Sequence, residues 1–133
     1  MIDIESQVFT KVATALRTSF SIITVTSRTT FMPDSFPCVC IEEADNYSFR
    51  SSRDTGSNEN HVEVMYEVNA YSNKSAGSKA ECRQMISVVD RVMDSLGFTR
   101  TGMTPMTADE PMQYRIVARY TAVVSKNEVI YRR

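Results

Sequence analysis

The sequence predicts one α+β domain, in which two helices pack on one face of a mainly antiparallel sheet of about four strands. Two segments repeat apolar residues at helical spacing, and four others are rich in β-branched or alternating apolar residues. Successive strands are joined too closely for a helical crossover, except across the second helix. The predicted order is therefore α-β-β-β-α-β, and 133 residues suffice for one such domain with its own core.

The first predicted helix covers residues 3–18. Its apolar residues share one helical face: Ile4, Val8, Val12, Ala15 and Leu16. Asp3 is expected to cap the helix, and Glu5 lies in the first turn, where a carboxylate interacts favourably with the helix dipole. The segment therefore reads as a short amphipathic helix that lies on the sheet.

Two strands are predicted next, over residues 20–27 and 38–43, because both are dense in β-branched or small apolar residues. The second strand is apolar on both faces, so we expect it to be covered on both sides. Its Cys38 and Cys40, with Cys82 elsewhere, make an odd number of cysteines. This favours buried thiols folded in a reducing compartment over a disulfide or a zinc site.

Residues 46–60 interrupt the pattern with a polar stretch that has turn chemistry around Gly56. A structureless loop of this length is uncommon in a compact domain and usually either has a function or is disordered. We expect a protruding arm or hairpin whose tip lies near Gly56. Its candidate contact residues are Tyr47, Phe49, Arg50 and Arg53.

The clearest predicted strand covers residues 61–72, with valines alternating against Glu63 and Glu67. A helix over residues 78–96 follows, with a capping box formed by Ser78 and Glu81. Gly97 is expected to end this helix.

The remaining segments differ in regularity. Residues 98–111 are predicted to be irregular. Residues 112–124 are predicted to form a long strand that carries Arg115 and Arg119 on one face. A short strand or tail is expected over residues 129–133.

Reactive side chains are scarce. His61 is the only histidine, and the sequence has neither a Gly-x-Ser-x-Gly turn nor a glycine-rich phosphate loop. The adjacent carboxylates Glu42-Glu43 and Asp109-Glu110 should point to opposite faces of an extended chain, so neither pair should converge on one substrate atom. We therefore predict no catalytic residue, metal or cofactor.

Charge is balanced overall, at 15 Lys+Arg against 16 Asp+Glu, which argues against partners such as nucleic acid or an anionic membrane. The N-terminal residues 1–5 show no basic region followed by an apolar run, and no apolar stretch reaches the ~20 residues of a membrane span. A soluble protein, initially intracellular, is therefore expected.

Charge is nevertheless uneven along the chain: residues 42–67 are acidic and residues after 113 are basic. Two interpretations remain open. Opposite surfaces of neighbouring copies can meet in a ring, or Glu63 and Glu67 can pair within one copy with arginines of a neighbouring strand, Arg115 and Arg119.

Five features of the sequence carry a resemblance to a known family. They are the order of elements, the polar arm, the run over residues 64–73 that leads into a helix, the exit Leu96-Gly97-Phe98 and the closing strand over residues 113–120. Across nearly the whole chain, they resemble the tail terminator proteins, which join head and tail at the neck of long-tailed bacteriophages.

The resemblance implies a structural virion protein and not an enzyme. It would be assembled in the host bacterial cytoplasm as a ring, typically a hexamer, that caps the tail tube, stops its growth and offers a surface to the head. Its partners would be copies of itself, the major tail tube protein and the head-completion or connector protein, and the family has no catalytic residues. The alternatives are a related neck, tail-completion or head-completion protein, a prophage adaptor domain, and a small hydrolase or ligand-binding domain centred on His61.

Overall fold

The two helices lie on the same face of a mixed β-sheet in the computed structural model, which describes residues 3–27, 35–48, 61–106 and 114–131. The elements in chain order are α1 (Glu5–Ser19), β1 (Thr24–Thr26), β2 (Cys38–Ser48), β3 (His61–Ser72), α2 (Ser78–Leu96), β4 (Thr99–Met106), β5 (Tyr114–Ser125) and β6 (Ile130–Tyr131). The predicted α+β class with two helices on one face is confirmed.

The sheet is larger than predicted and has mixed strand directions. Five strands follow the order β1-β2-β3-β5-β4, and β6 pairs with β5. The strand pairs of the described residues are antiparallel except for β1 and β2, which are parallel. The prediction of about four strands in the order α-β-β-β-α-β was wrong in these details, because β4 was not recognised as a strand and β6 was left as a strand or a tail.

Strand β4 occupies residues that were predicted to be irregular. It pairs with β5 from Thr99 opposite Thr121 to Met106 opposite Arg115, with a bulge between Arg100 and Gly102. A bulge and a proline, Pro105, protect an edge strand from further pairing, and both obscure the alternation by which strands are recognised in a sequence.

The core lies between the helices and the sheet face beneath them. Alternate residues of β3 and β5 point into it, as predicted, and meet the apolar stripes of both helices. The rings of Tyr66 on β3 and Phe98 after α2 pack edge to face, with centroids 5.4 Å apart. Residues 38–41 of β2 are buried on both faces, as predicted: Val39 and Ile41 join this core, while Cys38 and Cys40 lie on the opposite face.

The helix ends differ partly from their predicted caps. Gly97 ends α2 with φ of 100°, and its amide and that of Phe98 donate to Asp94 and Met93, which is the Schellman arrangement. The predicted capping box is wrong: Ser78 already belongs to the helix, and the Glu81 carboxylate accepts the Ser72 hydroxyl instead, at 2.6 Å.

At the start of α1, Ile4 precedes the helix in place of Asp3. Asp3 still accepts the Glu5 amide, at 3.0 Å. The predicted arm is only partly described, because residues 46–48 continue β2 opposite Val64, Glu63 and Val62. The rest of the arm, residues 49–60, lies outside the described residues.

Candidate interaction surface

The outer sheet face is the side of the sheet that points away from α1 and α2. Strand residues alternate between two faces, so the neighbours of the core residues of β3 and β5 lie here. Four of the predicted contact residues are among them: Glu63, Glu67, Arg115 and Arg119.

Glu67 and Arg119 form an ion pair across β3 and β5. They stand directly opposite each other in the strand register, and the Arg119 Nε atom lies 3.3 Å from the Glu67 Oε2 atom. The Arg119 side chain is 51% exposed and that of Glu67 is 25% exposed. For this pair, the interpretation of pairing within one copy is confirmed, while much of the guanidinium still faces solvent.

Arg115 is held by other groups. It is 9% exposed, its Nε donates to the Asn69 Oδ1 at 2.9 Å, and its guanidinium lies 5.5 Å from the centre of the Tyr71 ring. A buried arginine needs such partners because an uncompensated charge is costly away from water. Glu63 does not stand opposite Arg115: its cross-strand neighbour is Val123, and it is 6% exposed.

The cysteines are all free and buried, as expected of small apolar residues. A hydrogen bond to Cys40 and burial raise the pKa of Cys38, and burial raises the pKa of Cys82 to about 12. The Cys82 thiol also lies 3.5 Å from the carbonyl oxygens of Ala70 and Tyr114. Cys38 and Cys82 are therefore protonated at neutral pH and poor nucleophiles.

The four predicted contact residues of the arm are not brought together with this face by the described structure. Tyr47 lies in β2, where its backbone is opposite Glu63. Phe49, Arg50 and Arg53 lie outside the described residues.

His61 begins β3 and stands opposite Ser125 at the end of β5, a pairing that the sequence did not predict. A serine beside a histidine invites comparison with a hydrolytic site. The Ser125 hydroxyl, however, accepts the Val129 amide at 3.1 Å and so serves the turn between β5 and β6. Within the described ranges, no group of three or more histidine, cysteine or carboxylate side chains is arranged to hold a metal ion.

A small cleft at the start of β4 holds a polar cluster that the sequence did not reveal. Its Asp90 carboxylate receives the Tyr120 hydroxyl at 3.2 Å and the Arg100 Nη1 at 3.3 Å. Burial, then the charge and hydrogen bond of Asp90, raise the pKa of Tyr120. These hydrogen bonds connect α2 with β4 and β5, so the three side chains have a structural role.

Carboxylates gather where α1 begins, in a region that we call the acidic end. Its members are Asp3, Glu5, Glu43 and Glu128, whereas Asp45 stands opposite Met65 on the outer sheet face. The Glu43 amide donates to Glu5 at 3.0 Å, and the Gln7 side chain donates to Glu128 at 2.7 Å, which brings the turn after β5 to the same place. Burial, with the nearby charges of Asp3 and Glu5, raises the pKa of Glu43, although hydrogen bonds from Asn46 and Tyr66 act in the opposite sense.

Cations are exposed on the helices. Ion pairs between described residues include Lys74–Glu81, Arg100–Asp90 and Arg119–Glu67. Five other helix cations are solvent-facing and belong to none of these pairs: Lys11, Arg17, Lys79, Arg83 and Arg91. Lys126 is exposed in the turn that carries Glu128 and Asp94 is exposed on α2, so the acidic end and the helices differ in charge without either being of one sign.

Comparison of the chain with models of known protein families and with curated proteins found no match. Of the helices in the described residues, none is long and apolar enough to cross a membrane.

Proposed function

We propose that this protein is a structural component of a bacteriophage tail, related to the tail terminators. In this proposal it forms a ring on the end of the tail tube, stops tube growth and offers a surface to the head-completion protein. It needs no cofactor and catalyses no reaction. Its place is the neck of the virion, after assembly in the bacterial cytoplasm.

The observation that carries the proposal is the uneven distribution of charge over the surface. Carboxylates lie at the start of α1, and five exposed cations outside the ion pairs named above lie along the helices, while Lys126 is exposed in the turn that carries Glu128 and Asp94 is exposed on α2. Regions of unlike charge on one molecule favour a contact between unlike surfaces of two copies, and such contacts close into a ring when the rotation permits. The sequence resemblance adds the tail tube as the place where that ring acts.

Imaging of tails tests this proposal. The phage or prophage that encodes the chain is compared with a derivative whose copy of the gene is interrupted, and tails are examined by electron microscopy. Tubes longer than normal that fail to join heads are expected without the protein, and added purified protein should restore joining.

Two other outcomes assign the protein elsewhere. Tubes of normal length that fail to join heads would overturn the terminator role and favour a neck or head-completion protein. Normal tubes that join heads would overturn the proposal as a whole. A His61→Ala variant that restores joining would count against the rival hydrolase or ligand-binding function.

A further inference from the structure

Two thiols lie side by side on the outer sheet face where β2 begins. Cys38 and Cys40 are two residues apart in one strand, so their side chains point to the same face. They are 2% and 0% exposed and form one buried cluster with Tyr71, against which Phe36 packs. The Cys38 thiol is hydrogen-bonded to Cys40. The two sulfur atoms are therefore neighbours, whereas Cys82 belongs to the core on the other side of the sheet.

The pairing of strand β1 with the sheet depends on this short segment. Strand β1 lies at one end of the strand order, and all three of its residues pair with the residues from Cys38 to Cys40. The register sets Thr24 against Cys38, Val25 against Val39 and Thr26 against Cys40. A change in the backbone between the two cysteines therefore acts on the whole of the pairing between β1 and β2.

We propose that Cys38 and Cys40 form a disulfide when the protein meets a small-molecule disulfide such as oxidised glutathione, and that this bond releases β1 from the sheet. The proposal goes beyond the tail role and does not depend on it. Two residues of an extended strand advance by about 6.6 Å, whereas the Cα atoms of a disulfide are usually about 5.5–6 Å apart. Closing the bond therefore draws the backbone together around Val39 and bends β2 at the place where β1 pairs.

The reaction consumes one small disulfide per protein chain. One cysteine thiolate attacks a sulfur atom of oxidised glutathione, which forms a mixed disulfide while one glutathione thiolate leaves. The second cysteine thiolate then attacks the cysteine sulfur of the mixed disulfide and releases the other glutathione. The two cysteines lose two electrons and two protons, and the glutathione disulfide takes up both to become two thiols.

Access to the thiols comes through local opening of β1. In the closed sheet both thiols are buried and the pKa of Cys38 lies above its ordinary value, so the thiolate that attack requires is scarce. A three-residue strand at the edge of a sheet opens locally at low cost. The Thr24 amide donates to the Pro37 carbonyl oxygen at 3.0 Å, so opening of β1 also loosens the segment that holds Phe36 against the thiols.

Incubation of the folded protein with oxidised glutathione tests the bond and its effect. The intact mass should fall by two hydrogen atoms, and peptide mapping without reduction should place the disulfide between Cys38 and Cys40. Hydrogen exchange at the amides of β1 should become faster by at least about tenfold, while β3 and β5 keep their rates. Dithiothreitol should restore both the mass and the exchange rates.

Two variants separate the pair from the third cysteine. Cys40→Ala should stop at the mixed disulfide and keep one glutathione on Cys38. The matched control, Cys82→Ala, removes a thiol from the other side of the sheet and should form the disulfide as wild type does. Urea unfolding verifies that both variants are folded, and the wild-type measurements decide the proposal if Cys40→Ala is not.

Four results would overturn the proposal. They are thiols that stay reduced at every ratio of oxidised to reduced glutathione, a disulfide that contains Cys82, a disulfide between two copies, and a disulfide between Cys38 and Cys40 that leaves exchange in β1 unchanged. None of them bears on the tail role, which the imaging of tails tests separately.

Discussion

Two arginines four residues apart on β5 show how burial decides what a charge does. Arg115 is 9% exposed and donates to Asn69, whereas the Arg119 side chain is 51% exposed beside Glu67. A hydrogen bond from a charged buried group contributes about 1.5–3 kcal/mol, and an exposed ion pair contributes about 0–1 kcal/mol. Arg115→Met should therefore lower the free energy of unfolding by about 2 kcal/mol, measured in urea, and Arg119→Met by less than about 1 kcal/mol.

A further variant separates charge from shape at this position. Arg115→Lys keeps the charge but cannot lay a planar guanidinium against the Tyr71 ring while donating to Asn69. It should recover only part of the lost stability. Equal losses for Arg115→Met and Arg119→Met would contradict the structural role assigned to Arg115.

Glu43 makes stability depend on pH. Its pKa is raised in the folded protein, chiefly by burial and also by Asp3 and Glu5, so folding favours the protonated form. The stability that this group contributes is complete below its unfolded pKa of about 4 and is lost as pH rises through the folded pKa. Glu43→Gln should therefore unfold at higher urea than wild type at pH 7, and the difference should shrink towards pH 4.

The control for this prediction is the neighbouring residue. Glu42→Gln makes the same change in net charge on the opposite face of β2, where the strand register sets Glu42 against Glu67. If both variants gain equally at pH 7, the effect comes from total charge, and the burial of Glu43 is not its cause.

For single residues, the sequence predicted the sheet face on which a side chain lies better than the residue with which it pairs. Alternation placed Glu67 and Arg119 on one face and even made them neighbours, as observed. It also suggested Glu63 with the same arginines, although Val123 stands opposite Glu63. Alternation repeats every two residues and leaves the register open, which depends on turns and on the pairing of whole strands.

Among the elements, those with strong periodicity were predictable. Helix α2 and strands β3 and β5 have long stripes or alternations, and their apolar residues enter the core as expected. Strand β4 gave no such signal, because an edge strand with a bulge and Pro105 is exposed along most of its length. The capping box failed because Glu81 is bound by Ser72 and Lys74, which lie nine and seven residues before it and so outside the four-residue motif.

Two glycines with positive φ flank α2, and alanine substitution should lower the stability of the protein by a different amount at each. Gly77 has φ of 86°, and no described atom lies within 4 Å of the position that a Cβ atom would take there. At Gly97, with φ of 100°, a Cβ atom would lie 3.3 Å from the Ile130 side chain. The left-handed conformation costs about 1–2 kcal/mol for an alanine. Gly77→Ala should lose about that much in thermal or urea unfolding, and Gly97→Ala should lose more because β6 must shift.

Gly102 supplies the comparison for both. It lies in β4 without a positive φ, and a Cβ atom there would meet no described atom within 4 Å. Gly102→Ala should leave the stability within about 0.5 kcal/mol of wild type. Similar losses at all three glycines would point to a general effect of alanine and against the helix-end geometry.

For the whole molecule, strand order decides which parts are most protected. Strands β3 and β5 are hydrogen-bonded on both sides and buried, while β4 is paired on one side only and is largely exposed. The sequence could not give this order, because the pairing of β3 with β5 joins segments that α2 and β4 separate. The sequence could predict only which residues of each strand face the core.

Native-state hydrogen exchange measures this difference and also tests the assembly. Amides of β3 and β5 should exchange slowest, through global unfolding, and those of β4 fastest among the long strands, through local opening. When copies associate through the acidic end, exchange should slow in the turn over residues 125–129, which carries Glu128 and Val129, while β4 stays unchanged. Added protection along β4 instead would mean that copies join through the sheet edge, and the acidic end would then have no part in the contact.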